Sequence, residues 1–268
     1  MIEFMKYVIL AIIQGFTEPI PISSSGHLVI FKNLMNSSVL NDLNLEIILN
    51  FGSLIAIVIF FWKDIKDLFI DFFSYIKTKE KKYFNNFKYC LLVIIGTIPA
   101  GILGLLLKDQ IESLSSNVKI IGFALLITSL FLFLIKDMKG KKDDSDITYK
   151  DAFLIGLFQA VALFPGISRS GATIVGGMLR NLKRETAFKF SFILYIPISL
   201  ATMVLGVSDL IESNISSSLA LTYFFCMVIS GIITYFATKW FNGIMKNGKL
   251  IYFVIYCLIV GTLVIFFL

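Results

Sequence analysis

Two short polar stretches interrupt an otherwise strongly apolar chain, and both carry residue types suited to handling phosphate. The first reads Gln14-Gly15-Phe16-Thr17-Glu18-Pro19-Ile20-Pro21-Ile22-Ser23-Ser24-Ser25-Gly26-His27. The second reads Phe164-Pro165-Gly166-Ile167-Ser168-Arg169-Ser170-Gly171-Ala172-Thr173. Each ends in a serine–glycine segment ahead of an apolar run that reads as a short helix. Free backbone N–H groups and the positive end of a helix dipole favour an anion at such a place. Arg169 adds a permanent charge whose fork matches phosphate oxygens. Ser23, Ser25, Gly26, Ser168, Ser170 and Gly171 are therefore the expected groups for binding a phosphate or pyrophosphate.

The reactive groups are few. Ser24 and His27 are three apart and share a face if the turn is helical. A serine needs a base to attack at neutral pH, and a histidine has a suitable pKa. Ser24 as nucleophile and His27, the single histidine, as its base are the expected pair. Glu18 orients His27 or holds a divalent cation beside the pyrophosphate, while Arg169 stabilises charge on the transferred phosphoryl. His27 as direct nucleophile, with Glu18 shuttling the proton, is the open alternative. Plainer roles exist for the same residues: serines as helix N-caps, glycines as turns, Gln14 and Gln159 bonding backbone freed by the breaks. Glu18 and Arg169 are harder to dismiss, because a charge at membrane depth costs about 2.5–3.5 kcal/mol even on a lenient scale.

Depth in a membrane follows from composition. Of the 268 residues, 57% are hydrophobic, 16% are charged and 27 are Phe, and the mean hydropathy is +0.86. Soluble domains are about a quarter charged, so a soluble enzyme, a disordered chain and a secreted disulfide scaffold are excluded. Cys90, Cys226 and Cys257 all lie in apolar stretches and read as packing residues. Six stretches, 45–62, 88–107, 118–135, 187–207, 215–238 and 250–268, are of spanning length and apolarity. The apolar pieces 4–13 and 28–35, and 152–164 and 172–179, are each too short to span, so they predict two re-entrant hairpins around the polar breaks, within 4–35 and 152–179. The fold expected is an all-α polytopic membrane protein with six transmembrane helices and two re-entrant hairpins in a single domain, 1–268.

Charge orients it. Segments 63–88, 136–151, 180–189 and 239–249, which this layout puts on one side, hold nineteen of the 24 Lys and Arg. The other side holds Lys6, Lys32, Lys108 and Lys119. Cations collect in cytoplasmic loops, which predicts both termini outside and accounts for the net charge of +6 without nucleic acid. The breaks also repeat: at an offset of 145, Gln14 falls on Gln159, Ile22 on Ile167, Ser23 on Ser168, Ser25 on Ser170 and Gly26 on Gly171. With the charge count this predicts two halves of inverted topology, 1–140 and 147–268, sharing one site where the breaks meet.

The two stretches resemble the signature regions of the bacterial undecaprenyl-pyrophosphate phosphatases of the bacitracin-resistance type, of the form (E/Q)GxTE-x-x-PISSSGH and PGxSRSGAT. Phe190-Ser191-Phe192 to Pro197 is similar to a further stretch of that family, and the likeness covers essentially the whole chain. The resemblance implies removal of the terminal phosphate of undecaprenyl pyrophosphate, recycling the cell-wall lipid carrier, in the bacterial plasma membrane. It implies a site opening to the outer face, help from a divalent cation (Mg or Ca) bound through Glu18 with the pyrophosphate, and functional roles for Gln14, Glu18, Ser24, His27, Arg169, Ser168, Ser170 and Thr173. Gln14 stands where many members have glutamate, leaving Glu18 the only carboxylate of the first motif, and Pro19 stands where an aromatic is common. The partners expected are the polyprenyl pyrophosphate and membrane lipids, with a homodimer left open and no nucleic acid. The rival reading is a polyprenyl-phosphate flippase, since inverted repeats with broken helices are also transporter architecture.

Overall fold

The computed structural model describes residues 2–35, 43–115, 117–212 and 215–268, and among them the backbone is helical apart from turns, two short 3-10 segments and one isolated bridge, Lys142 to Leu182. The helices are α1 (Ile2–Thr17), α2 (Ser24–Met35), α3 (Leu43–Phe60), α4 (Trp62–Thr78), α5 (Phe84–Leu106), α6 (Lys108–Ser115), α7 (Val118–Ile135), α8 (Tyr149–Val161), α9 (Arg169–Leu179), α10 (Arg184–Glu212), α11 (Ser217–Asn247) and α12 (Ile251–Phe267). The all-α expectation holds. Polar residues set several helix starts: Asn117 accepts from the amides of Lys119 and Ile120, and Thr148 and Asp151 form a reciprocal box at α8. Gly248, with φ of 69°, ends α11 in the left-handed conformation that glycine adopts without cost.

Helices α5, α7, α10 and α11 are long and apolar enough to cross a bilayer. Helix α3 meets that test only together with α4, from which it is bent by 74°. Helix α12, with 17 residues, sits at the lower limit for a span. Segment 63–88, which the sequence layout leaves between two spans on the cation-rich side, contains most of α4. Its Leu68, Phe69, Phe72, Phe73 and Ile76 recur at the helical period opposite a Lys/Asp face. Phe69, Ile70, Phe73 and Ile76 are exposed, as on a helix lying in a bilayer interface.

Packing is reciprocal between the two ends of the chain. Helix α1 packs on α11 and α8 on α5, α7 packs on α12, and α3 and α10 touch each other while reaching α11 and α5. The contacts are close because small residues line them. A Cβ on Gly52 would stand 2.2 Å from the Met227 carbonyl oxygen, and one on Gly156 2.4 Å from that of Gly96. Buried hydroxyls tie the seams: Ser53 Oγ lies 3.1 Å from Ser230 Oγ and 2.9 Å from Thr234 Oγ1, while Ser230 donates to the Leu49 carbonyl and Thr234 to that of Gly15. Phe61, Phe188, Phe192, Phe241 and Phe253 fill the interior between α3, α10, α11 and α12.

The four basic segments do gather at one end. Lys189 pairs with Asp64 and Asp144 at 2.5 and 3.0 Å, Lys183 with Asp143 at 2.7 Å, and Lys88 and Arg184 donate to the carbonyls of Ser145 and Lys136. Lys246 lines the same hollow as Lys139 and Arg184. At this end the buried carboxylate of Asp151 receives Lys142 at 2.8 Å and Arg180 at 2.7 Å. Burial opposes its ionisation, but Lys142, the Thr148 amide and hydroxyl, and Arg180 outweigh that and hold its pKa at about 2.

Candidate active site

Helix α1 stops because Pro19 and Pro21 have no N–H to continue it. The chain turns through Ile22, whose amide reaches the Ile20 carbonyl at 2.8 Å, to Ser23, which adopts φ of 70°. A non-glycine residue there is strained, by roughly 1–3 kcal/mol, and such strain persists only where surrounding contacts fix it. Ser23 has those contacts: its Oγ accepts from the Gly26 amide at 3.2 Å, and its carbonyl accepts from the backbone and the ring Nδ1 of His27. The second break ends in the same way, with Ser168 Oγ capping α9 through the Gly171 amide at 3.1 Å. Gly166, at φ of 88°, makes the turn before it.

The tips of the two breaks touch. Ser170 Oγ donates to the Ile20 carbonyl at 3.3 Å, and Arg169 forms an ion pair with Oε1 of Glu18. The guanidinium also lies over the ring of Tyr195 on α10, 3.6 Å from its centroid, a stacked and charge-assisted seat. The other oxygen of Glu18, Oε2, accepts from Ser24 Oγ at 2.5 Å and from Gln14 Nε2 at 2.9 Å. Gln14 Nε2 also donates to Asn50 Oδ1 on α3 at 2.7 Å. Thr173 Oγ1 donates to the Arg169 carbonyl at 2.9 Å and bonds Ser191, bracing the first turn of α9.

These groups border a cavity of about 210 Å³ lined by Glu18, Ser23, Ser24, Ser25, Gln159, Ser168, Arg169 and Ser170, with Asn50, Tyr195, Ser199 and Thr202 from α3 and α10. Asn50 lies in the first half of α3 and Thr202 in the second half of α10, whose other halves lead to the basic end, so the cavity is set back from that end. Helices α2 and α9 both begin on it, so two positive dipole ends meet there.

His27 is placed differently from the sequence expectation. Its ring does not line the cavity. Nδ1 faces the Ser23 carbonyl at 2.7 Å and Nε2 faces the Tyr256 hydroxyl at 2.7 Å, with the two rings stacked. A carbonyl only accepts, so Nδ1 carries a proton and the neutral ring takes the Tyr256 O–H at Nε2. The group in contact with Ser24 is Glu18. Gln14 bonds side chains rather than freed backbone, and the buried amide of Gln159 has no partner among the described residues. Asn50, Tyr195 and Tyr256 were not singled out from sequence. Asn50 carried a signal, as a lone amide within an apolar span, and Tyr195 sits in the Phe190–Pro197 stretch. Tyr256, one aromatic among many, carried none.

Residues 7–263 match the model of the family described as bacitracin resistance protein BacA. Undecaprenyl-diphosphatase 1 of Bacillus licheniformis is 45% identical over 264 residues, covering 98% of this chain and 97% of that protein. The undecaprenyl-diphosphatase of Oceanobacillus iheyensis is 42% identical over 266 residues, covering 98% and 96%, and undecaprenyl-diphosphatase 1 of Halalkalibacterium halodurans is 42% identical over 261, covering 97% and 95%. A match of this length, across both helix breaks that build the site, shows that the chain belongs to the bacitracin resistance protein BacA family.

Proposed function

We propose that this protein is an integral-membrane undecaprenyl-diphosphatase, releasing phosphate from undecaprenyl pyrophosphate and leaving the lipid monophosphate. The observation that carries the reading is the hydrogen bond from Ser24 to Glu18 beside Arg169, on a polar cavity within an apolar helix bundle. Relatives that share the whole chain bear the same name.

Ser24 is the nucleophile and Glu18 the base in contact with it. As Oγ bonds the terminal phosphorus, its proton passes to Glu18 Oε2. The bond from that phosphorus to the bridging oxygen breaks, and the electron pair leaves with the lipid monophosphate, which takes the proton. Water then attacks the phosphoserine, Glu18 accepts its proton and returns it to Ser24 Oγ as the Oγ–P bond breaks, and inorganic phosphate departs. Arg169, relieved of part of its pairing with Glu18, holds non-bridging oxygens together with the amide ends of α2 and α9. His27 fixes the Ser23 turn that presents Ser24.

The donor set suits a divalent cation carried in with the pyrophosphate. Such an ion is usually held by one or two carboxylates and substrate phosphates; here Oε1 of Gln14, without a partner among the described residues, and Oε1 of Glu18, once Arg169 turns from it to the phosphates, are the protein oxygens that would hold it. Its chemistry would be neutralisation of charge on the phosphates.

The reciprocal packing of α1 on α11 and α8 on α5 supports the reading of two inverted halves. The gathering of the basic segments supports a cytoplasmic basic end and a site reached from the outer half. A carrier needs no nucleophile, so the Ser24–Glu18 contact favours hydrolysis over lipid transport. Phosphate release from undecaprenyl pyrophosphate by purified protein tests the reading: rapid release that Ser24→Ala abolishes supports it, and no release by folded wild type overturns it.

A further inference from the structure

The amide of Gln159 is 1% exposed, lines the cavity with Glu18, Ser24 and Arg169, and has no hydrogen-bond partner on either Nε2 or Oε1 among the described residues. A methionine of similar size would fill the space without the cost of an unpaired buried amide. Buried polar groups are nearly always satisfied, and the exceptions call for a function. Its repeat counterpart, Gln14, differs: Nε2 there is taken by Glu18 and Asn50. The two glutamines therefore share a position in the repeat and not a task.

We propose that Gln159 is a catalytic residue of the phosphoryl-transfer site that holds the phosphoryl group and the hydrolytic water together, a role that rests on the hydrolase reading. The chemistry of the amide selects these ligands. Its Nε2 has two N–H groups, which a non-bridging phosphoryl oxygen accepts, as it accepts from Arg169. Its Oε1 needs an O–H, which the phosphoryl dianion lacks and the attacking water supplies. One planar amide then spans the phosphoryl oxygen and the water. In the second half of the reaction the water keeps one hydrogen on Gln159 Oε1 and passes the other to Glu18. The new O–P bond forms as the bond to Ser24 Oγ breaks, and Gln159 stays neutral throughout. Its position on α8, next to the second break, brings this pair of bonds to the serine of the first break.

Gln159→Met separates this role from a structural one. The variant removes the unpaired amide without changing volume, so its unfolding midpoint in detergent stays at or above that of wild type. Its kcat for phosphate release falls on the order of 100-fold, the usual loss for one charge-stabilising donor, and an acid-stable phosphoenzyme accumulates because water attack is the slowed step. Gln159→Glu keeps size and an acceptor but loses both donors and repels phosphate, and it raises KM as well. Release by Gln159→Met within about threefold of an active wild type overturns the role of Gln159, and so does a lowered unfolding midpoint, which would show an internal partner for the amide. Absence of release by the wild type instead overturns the hydrolase reading itself.

Discussion

Glu18 and Arg169, 151 residues apart in the chain, meet as an ion pair where the two helix breaks touch. The pair joins the two breaks, and the carboxylate oxygen not used by Arg169 is the one that accepts the Ser24 hydroxyl. Its side chains are only 5% and 20% exposed, so removing one partner strands a charge in a place of low dielectric.

Glu18→Gln removes the proposed base and leaves Arg169 uncompensated. Phosphate release should fall by about 10²–10⁴, with a stability loss of about 3 kcal/mol. Replacing Arg169 with Gln in the Glu18→Gln background should restore part of the stability and none of the activity. Denaturant unfolding and steady-state assays of the double-mutant cycle check both.

Arg169→Lys keeps the charge but loses the fork and the stacking on Tyr195. The account expects a fall of about 100-fold in kcat/KM. Phosphate release by the Lys variant at wild-type rates would show that a point charge suffices.

Tyr256→Phe deletes one hydrogen bond to His27 Nε2 and leaves its bond to Ser23 intact. Release should stay within about tenfold of wild type, since the net worth of such a bond is about 1 kcal/mol. His27→Ala, which frees the strained Ser23 turn, should cost far more. Equal and total losses in both variants would mean that the imidazole and phenol take part in proton transfer.

Asp151 belongs to the basic end and not to the site. Its folded pKa of about 2 lies below the ordinary carboxylate value, so its contribution to stability is fully present above about pH 4 and is lost as pH falls through about 2. The shift corresponds to about 2 kcal/mol. Asp151→Asn should lower stability by about that amount at neutral pH, flatten the acid limb of the stability curve and leave kcat unchanged. Thermal unfolding as a function of pH checks all three.

Gly156→Val should be far more damaging, because the added Cβ alone would overlap the Gly96 carbonyl and push α8, with Gln159, away from α5. Loss of fold in detergent is expected, while Gly243→Ala, which meets open space, should be silent.

Much of this arrangement was legible in the sequence for physical reasons. Spans announce themselves by length and apolarity, and prolines with serine–glycine caps fix both breaks. The cost of a charge at membrane depth singled out Glu18 and Arg169, but that they pair with each other is seen only in the structure. Helix α4 was missed because its charges at Lys63, Asp64, Lys66 and Asp67 masked an apolar stripe at helical spacing. The contacts of His27 were not legible for a different reason. Three-residue spacing puts Ser24 and His27 on neighbouring positions of α2, but rotamers and the distant Tyr256 decide where the imidazole points, and a contact 229 residues away in sequence leaves no local trace. The carboxylate six residues before Ser24 reached it instead, through the proline turn.

Rapid quench of the wild-type protein with undecaprenyl pyrophosphate labelled in its terminal phosphate bears most directly on Ser24 as nucleophile. The account predicts an acid-stable phosphoenzyme, mapped to the peptide containing Ser24 and absent in Ser24→Ala. An acid-labile adduct on His27, or phosphate release that survives Ser24→Ala, would contradict it.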